Sequence, residues 1–200
     1  PGRPLHPVAV CEAVNGVLDD RTTVIADVGQ NAYWVERHLR TRGDNRFVIN
    51  AGLGTMGHAV AGALGAWLAR RDMHGNEERV VVTTGDGGFL MTGLEVSSAV
   101  AEGAAITWVI FNNGTLGTQR AWWDRRGLAP VAADLPPTDF VGLARSLGAD
   151  GRRVTTRDEL DAALAWAEAR RLPTVLDVVI DPRPAPTPFV AQIEEKVGEV

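Results

Sequence analysis

The chain has 200 residues, 45% hydrophobic and 22% charged, with a formal net charge of −5 and a single cysteine. This is the composition of one globular domain large enough to bury a full core, and the charge gives no reason to expect nucleic acid or an anionic membrane as partner. One cysteine excludes an internal disulfide and points to a reducing compartment, the cytoplasm.

Taken in order, residues 1–7 are proline-rich and lack the apolar centre of a signal peptide. Val10, Val14, Val17 and Leu18 recur at helical spacing and predict a helix over 8–18, with Cys11 as a small apolar residue on its face. A β-branched run over 22–28 predicts the first strand, and a helix follows over about 32–40. A short second strand is expected over 47–50. The glycine-rich turn Gly52-Leu53-Gly54-Thr55-Met56-Gly57 then opens a helix of small residues. The apolar stretch 55–69 is too short to span a bilayer and contains His58 and three glycines, so it reads as a buried helix.

Residues 72–78 are polar and read as a surface loop before a third strand over 79–84. A helix over 89–101 and a fourth strand over 106–111 come next. Residues 119–126, with Trp122 and Trp123, read as a helical turn leading into a proline-bearing loop. Thr138 or Asp139 can cap a helix reaching Leu147. A short fifth strand is expected at 152–154. Thr156 and Glu159 form a capping box for the helix bearing Leu160 and Leu164. A final strand is expected over 174–180, and prolines from Pro182 onward stop it. Strands alternating with helices predict an α/β fold: a parallel six-stranded sheet with helices on both faces. Residues 1–182 read as one domain and 183–200 as a C-terminal tail.

The chemistry concentrates at two strand ends. Gly85-Asp86-Gly87-Gly88 follows the third strand and Asn112-Asn113-Gly114-Thr115-Leu116-Gly117 follows the fourth. In a parallel sheet both ends lie at one edge, where open α/β folds bind ligands. A carboxylate and a carboxamide there suit a hard cation such as Mg²⁺. Gly87 and Gly88 leave backbone N–H groups bare at a helix start, which suits a diphosphate. No Lys or Arg occurs between Arg79 and Arg120, so such an anion would be neutralised mainly by metal.

Residues 52–57 also fit G-x-G-x-x-G after a strand and before a helix, which admits a second reading as an NAD(P)- or flavin-binding Rossmann oxidoreductase. That reading wants an acidic residue at the end of the next strand, and Asp72, Glu77 and Glu78 precede that strand. His6, His38, His58 and His74 have no zinc-site spacing. Glu95 reads as a structural hydrogen-bonding residue rather than a catalytic acid.

Gly85-Asp86-Gly87, then 24 residues, then Asn112-Asn113 resembles the signature of thiamin-diphosphate enzymes. Over nearly the whole chain the resemblance is to the diphosphate-binding domain of the acetolactate synthase and benzoylformate decarboxylase group. Asp27-Val28-Gly29-Gln30-Asn31-x-x-Trp34 looks like that group's Asp-Val-Gly-Gln-His-x-x-Trp, which implies diphosphate contacts from Val28, Gly29 and Gln30, and from Asn31 in place of the histidine. Gly52 to Gly57 resembles Gly-Leu-Gly-Ala-Met-Gly. The resemblance implies that the Gly54 carbonyl accepts a hydrogen bond from the 4′-amino group and that Met56 wedges between the cofactor's rings, the pair acting in catalysis through the bend.

It implies further that Asp86, Asn113 and the Thr115 carbonyl bind Mg²⁺ and that Gly85, Gly87, Gly88, Leu116 and Gly117 line the diphosphate site, with Asn112 supporting the loop. Thr118, where the group usually has methionine, and Trp122 would face substrate. The implied activity is decarboxylation or carboligation of a small-molecule 2-oxoacid. The glutamate that activates the cofactor belongs to a pyrimidine-binding domain, and no matching segment precedes Pro1. The resemblance therefore implies half an active site, completed by a pyrimidine-binding partner subunit in an α2β2 heterotetramer. A non-catalytic regulatory subunit is the competing reading, opposed by the intact Asp86, Asn113, Gly54 and Met56.

Overall fold

The structure, a computed structural model, describes residues 4–41, 46–75 and 78–186. Its strands are β1 (Thr22–Ala26), β2 (Arg46–Ile49), β3 (Arg79–Gly85), β4 (Ile106–Asn112), β5 (Asp150–Val154) and β6 (Thr174–Val179). They form one parallel sheet of order β2-β1-β3-β4-β6-β5. The helices are α1 (Pro7–Gly16), α2 (Gln30–His38), α3 (His58–His74), α4 (Asp86–Thr92), α5 (Val96–Ala101), α6 (Gly117–Arg125), α7 (Phe140–Ser146) and α8 (Arg157–Arg170).

Strand side chains alternate between faces, so the β-branched runs feed two cores at once. Val80, Val82, Ile106, Trp108 and Ile110 pack beneath Ala59, Val60, Ala63, Phe89, Val96 and Phe140. Val81, Val109, Phe111, Leu176 and Val178 pack on the other face with Val10, Val14, Val35, Leu160 and Leu164. A sheet buried on both faces favours all-parallel strands joined by helices. The strand order differs from the 3-2-1-4-5-6 of a dinucleotide-binding fold, which removes the Rossmann reading of the glycine turn. The chain runs from β1 out to β2 and returns to β3 on the other side of β1. That reversal opens a crevice at the C-terminal ends of β1 and β3.

Three elements differ from the expectations. The helix expected over 89–101 is broken: α4 ends at Thr92, a 3₁₀ turn covers Gly93–Glu95, and α5 follows. The Thr92 hydroxyl donates to the Gly57 carbonyl at 2.7 Å, and the buried Phe89 ring lies over Gly93, where a Cβ would come within 2.7 Å of it. The loop expected from residue 72 begins later, because α3 runs to His74 and stops at Gly75, φ 89°. Within it Asn76 and Glu77 lie outside the described residues, and Glu78 is buried against Arg70 at 2.9 Å. The helical turn expected at 119–126 is a full helix, α6.

The small-residue helix α3 buries one face only, through Ala59, Val60, Ala63 and Trp67. The caps behave as expected: Asp139 accepts from the Gly142 amide at 2.8 Å, and Thr156 with Glu159 makes both bonds of a capping box. Cys11 is buried on α1. Glu95 is exposed and accepts from the Ser98 hydroxyl at 3.1 Å. Of the expected tail, residues 183–186 have no regular structure and 187–200 lie outside the described residues. No helix among the described residues is long and apolar enough to cross a membrane.

Candidate cofactor and metal site

A cleft of about 180 Å³ lies where β1, β3 and β4 end. That is below the roughly 300–1,000 Å³ of a site that encloses a drug-sized ligand. Its lining brings together Val28, Gly29, Gln30 and Asn31 after β1, Gly54 and Met56 from the glycine turn, Gly85 to Gly88 after β3, and Asn113, Thr115, Leu116, Gly117 and Thr118 after β4. Trp34, Phe111, Gln119 and Ile180 also line it, and the sequence pattern gave them no site role. Trp34 closes the Asp27–Trp34 motif, one turn beyond Gln30, and was the one of the four within reach of sequence reasoning. Trp122 is not part of this lining. It projects from α6 half-exposed, edge-on to Trp123, with the Arg126 guanidinium 3.8 Å above its ring.

Asp86 opens α4 and is 3% exposed. Its Oδ1 accepts from the Gly87 amide at 2.8 Å, and its Oδ2 from the Gly114 amide at 2.7 Å and the Asn113 amide at 3.2 Å. One carboxyl thus ties the start of α4 to the loop after β4. Burial pushes its pKa up to about 6, against the pull of these three donors, and Asp177 adds to the rise. Asp86 is the one ionisable group among the described residues lining the cleft.

Asn113 accepts from the Thr115 amide through its side-chain oxygen at 3.1 Å, closing a turn that Gly114 completes at φ 71°. The loop is held from outside: the Thr115 hydroxyl and the Leu116 amide both donate to the Ala133 carbonyl, at 2.8 and 2.7 Å. Asn112 points away and donates to Asp177 on β6 at 2.6 Å. A Cβ on Gly87 would strike the Leu116 side chain and lie 3.4 Å from the Met56 methyl, and one on Gly117 would strike the Gln30 amide. These glycines make the backbone cradle. The Thr118 hydroxyl is buried without a hydrogen-bond partner.

Asn31 and Asp27 hold the β1 side. The Asn31 amide donates to the Asp27 carbonyl at 2.9 Å and the Thr83 carbonyl at 3.3 Å, so its N–H groups brace the ends of β1 and β3. The Asp27 carboxyl, fully buried, accepts from the Gly57 amide at 2.9 Å, the Ala59 amide at 3.2 Å and the Thr84 hydroxyl at 3.1 Å. Asn31 reaches Asp27 within its own motif, but the Thr83, Gly57, Ala59 and Thr84 partners come from distant segments, so neither brace is visible in the sequence.

The donor set can be weighed against a metal and a diphosphate. Among the described residues no group of three His, Cys, Asp or Glu converges. A cation here would draw on one carboxylate, one carboxamide, a backbone carbonyl and its ligand's own oxygens, the all-oxygen set that suits Mg²⁺. The bare glycine backbone at the start of α4 suits a phosphate group. Of that backbone the Gly87 amide is already engaged by Asp86. The residues present fit both groups.

An α/β domain of this topology, with an acid–amide pair and a glycine cradle at one sheet edge, has known relatives. The chain belongs to the thiamine pyrophosphate (thiamin diphosphate) enzymes: the family model for their C-terminal TPP binding domain matches residues 27–178. It is 37% identical over 178 residues to the acetolactate synthase large subunit of Parasynechococcus marenigrum, covering 87% of this chain and 28% of that protein. It is 33% identical over 198 residues to the mitochondrial acetolactate synthase catalytic subunit of Saccharomyces cerevisiae, covering 96% and 28%. Its structure resembles the thiamine diphosphate-dependent 4-hydroxybenzoylformate decarboxylase of Rhodococcus jostii, with a TM-score of 0.79 and 24% identity over 90% of this chain and 33% of that one. At that identity the structural likeness speaks for the fold alone. The chain spans about a third of the length of these relatives.

Proposed function

We propose that this chain binds thiamin diphosphate and Mg²⁺ as part of a 2-oxoacid decarboxylase or carboligase of the acetolactate synthase type. The observation that carries the reading is the buried Asp86, lined up with Asn113 and Thr115 over a glycine cradle that contains no basic side chain. Asp86, the Asn113 side-chain oxygen and the Thr115 carbonyl would hold the metal. Val28, Gly29, Gln30, Gly85, Gly87, Gly88, Leu116 and Gly117 would surround the diphosphate. Asn31 would serve that end by bracing β1 to β3, since both its N–H groups are engaged by backbone carbonyls.

The cofactor, when bound, supplies the nucleophilic carbon and the electron sink for loss of CO₂ from a 2-oxoacid. The chain's own share is positioning. The Gly54 carbonyl would accept from the pyrimidine amino group, and Met56, which leans over Gly87, would hold the two rings bent. That bend would bring base and acid together, a gain of proximity rather than of new chemistry. Thr118, with its free hydroxyl at the cleft wall, and Trp122 on α6 would meet the 2-oxoacid.

The activating glutamate would come from a pyrimidine-binding unit outside these residues, a partner chain in an α2β2 assembly on the sequence reading. The small volume of the cleft and its single ionisable group support a shared site. A cytoplasmic setting is proposed on the lone, buried Cys11. Titration calorimetry tests the binding half: the chain should take up thiamin diphosphate with Mg²⁺ and not with EDTA. Product analysis tests the catalytic half, with pyruvate and a panel of aldehydes. Release of CO₂ should require a glutamate-bearing unit, and turnover by the chain alone, with contaminants excluded by mass spectrometry, refutes the shared site.

A further inference from the structure

Helix α3 starts without a cap of its own. Its N-cap is Gly57, φ 82°, with no side chain to offer, and its first turn carries no acidic residue. The amides at a helix start need acceptors. Asp27, thirty positions earlier and at the end of β1, supplies them from across the sheet, taking the Gly57 amide on Oδ2 and the Ala59 amide on Oδ1.

The same Oδ2 accepts from the Thr84 hydroxyl at the end of β3. It also sits so close to Gly88 that a Cβ there would overlap it. One fully buried carboxyl therefore touches the end of the 52–57 turn, the last residues of β3 and the first turn of α4. Thr92 closes the ring by donating to the Gly57 carbonyl at 2.7 Å. The turn needs this, because Gly52, Gly54 and Gly57 give it little conformational preference of its own, and Gly54 and Gly57 both have positive φ.

We propose that Asp27 is a positioning residue that fixes the 54–57 turn over Gly87 and Gly88, and so sets where Gly54 and Met56 meet the ring end of the cofactor. The inference rests on the cofactor reading above. In Asp27→Asn one oxygen becomes an N–H₂ group, so at least one of the two α3 amides faces a donor. Side-chain volume beside Gly88 is kept, and the contacts of Asp86, Gly87 and Asn113 are untouched. The variant should therefore lose grip on the ring end and keep it on the diphosphate end.

The test compares thiamin diphosphate with inorganic diphosphate, each with Mg²⁺, by calorimetry on the full chain. Asp27→Asn should weaken thiamin diphosphate by about tenfold or more, the scale of a charge-assisted hydrogen bond, and leave inorganic diphosphate within about twofold. Hydrogen exchange should accelerate at the Gly57 and Ala59 amides. If Asp27→Asn does not fold, the near-isosteric Thr84→Val, which leaves both amide bonds, should still weaken thiamin diphosphate about threefold with inorganic diphosphate unchanged. Equal weakening of the two ligands, or unchanged thiamin diphosphate affinity in the folded variants, overturns the role of Asp27. Failure of the parent chain to bind thiamin diphosphate overturns the cofactor reading and this inference together; where the parent binds, the variants test Asp27 alone.

Discussion

Gly88→Ala is the most direct probe of how tightly the site is packed from beneath. The added Cβ would lie 2.9 Å from the Thr84 hydroxyl oxygen and overlap Asp27 Oδ2. Asp27 cannot retreat without loosening its bonds to Gly57, Ala59 and Thr84. Overpacking of this kind costs about 1–3 kcal/mol, and weakening one or two buried hydrogen bonds adds about 1 kcal/mol each. Alanine regains about 1 kcal/mol of helix propensity in α4. The balance is a destabilisation of roughly 1–4 kcal/mol. Gly65→Ala is the control, since Gly65 is exposed within α3 and nothing lies within 4 Å of its added Cβ. It should gain about 0.5–1 kcal/mol from the same propensity. Urea unfolding followed by tryptophan fluorescence and far-UV circular dichroism measures both, with an unchanged m-value expected. A Gly88→Ala chain as stable as the parent would show that Asp27 moves freely, and the reasoning would fail.

Asp86→Ala and Asn113→Ala should each abolish Mg²⁺-dependent cofactor binding while the far-UV spectrum is kept; unchanged affinity and metal dependence in either variant would displace it from the metal. Trp122→Leu, assayed in the complete enzyme, should shift kcat/KM between small and bulky 2-oxoacids while cofactor affinity changes by less than about twofold; equal losses across all substrates would assign Trp122 to packing. Cys11 is buried and its thiol pushed up to about 12, so a disulfide reagent at neutral pH should label it only at the rate of unfolding.

Much of the fold was legible because its signals are local. The β-branched run before Asp86 and the one before Asn112 each had to be a strand, and their glycine, acid and amide endings marked one sheet edge. The capping box at Thr156 was readable for the same reason, since all its atoms lie within four residues. What escaped depends on contacts between segments far apart in sequence. The break at Gly93 is set by Thr92 reaching back to Gly57 and by the Phe89 ring, neither of which leaves a periodicity signal. Asp27 stands at the head of the Asp27–Trp34 motif. Only the fold brings it to the start of α3 and to Thr84 and reveals what it holds. Asn31 was expected to contact the diphosphate in place of the histidine; only the fold shows that its side-chain N–H₂ donates to the Asp27 and Thr83 carbonyls.

On the proposed reading, the electrostatics of the cleft couple the binding of metal and ligand. Asp86 is already costly to ionise, because burial holds its pKa at about 6 rather than 3.8. A group with a raised folded-state pKa contributes stability that is fully present below its unfolded value and lost as pH rises through the folded one. The metal-free chain should therefore lose up to about 3 kcal/mol from Asp86 between pH 4 and 7, at roughly 1.4 kcal/mol per pKa unit. A diphosphate brought in alone would add negative charge beside that carboxylate, with no basic side chain in the lining to offset it. A divalent cation reverses both penalties, and the coupling is reciprocal. Mg²⁺ alone and thiamin diphosphate alone should each bind weakly, the pair tightly, and the apparent Mg²⁺ affinity should fall as pH drops below about 6, when the proton competes for Asp86. Asp86→Asn should flatten the pH dependence of stability in the metal-free chain. Parallel stability curves for parent and variant between pH 4 and 7 would show that Asp86 does not carry this charge balance.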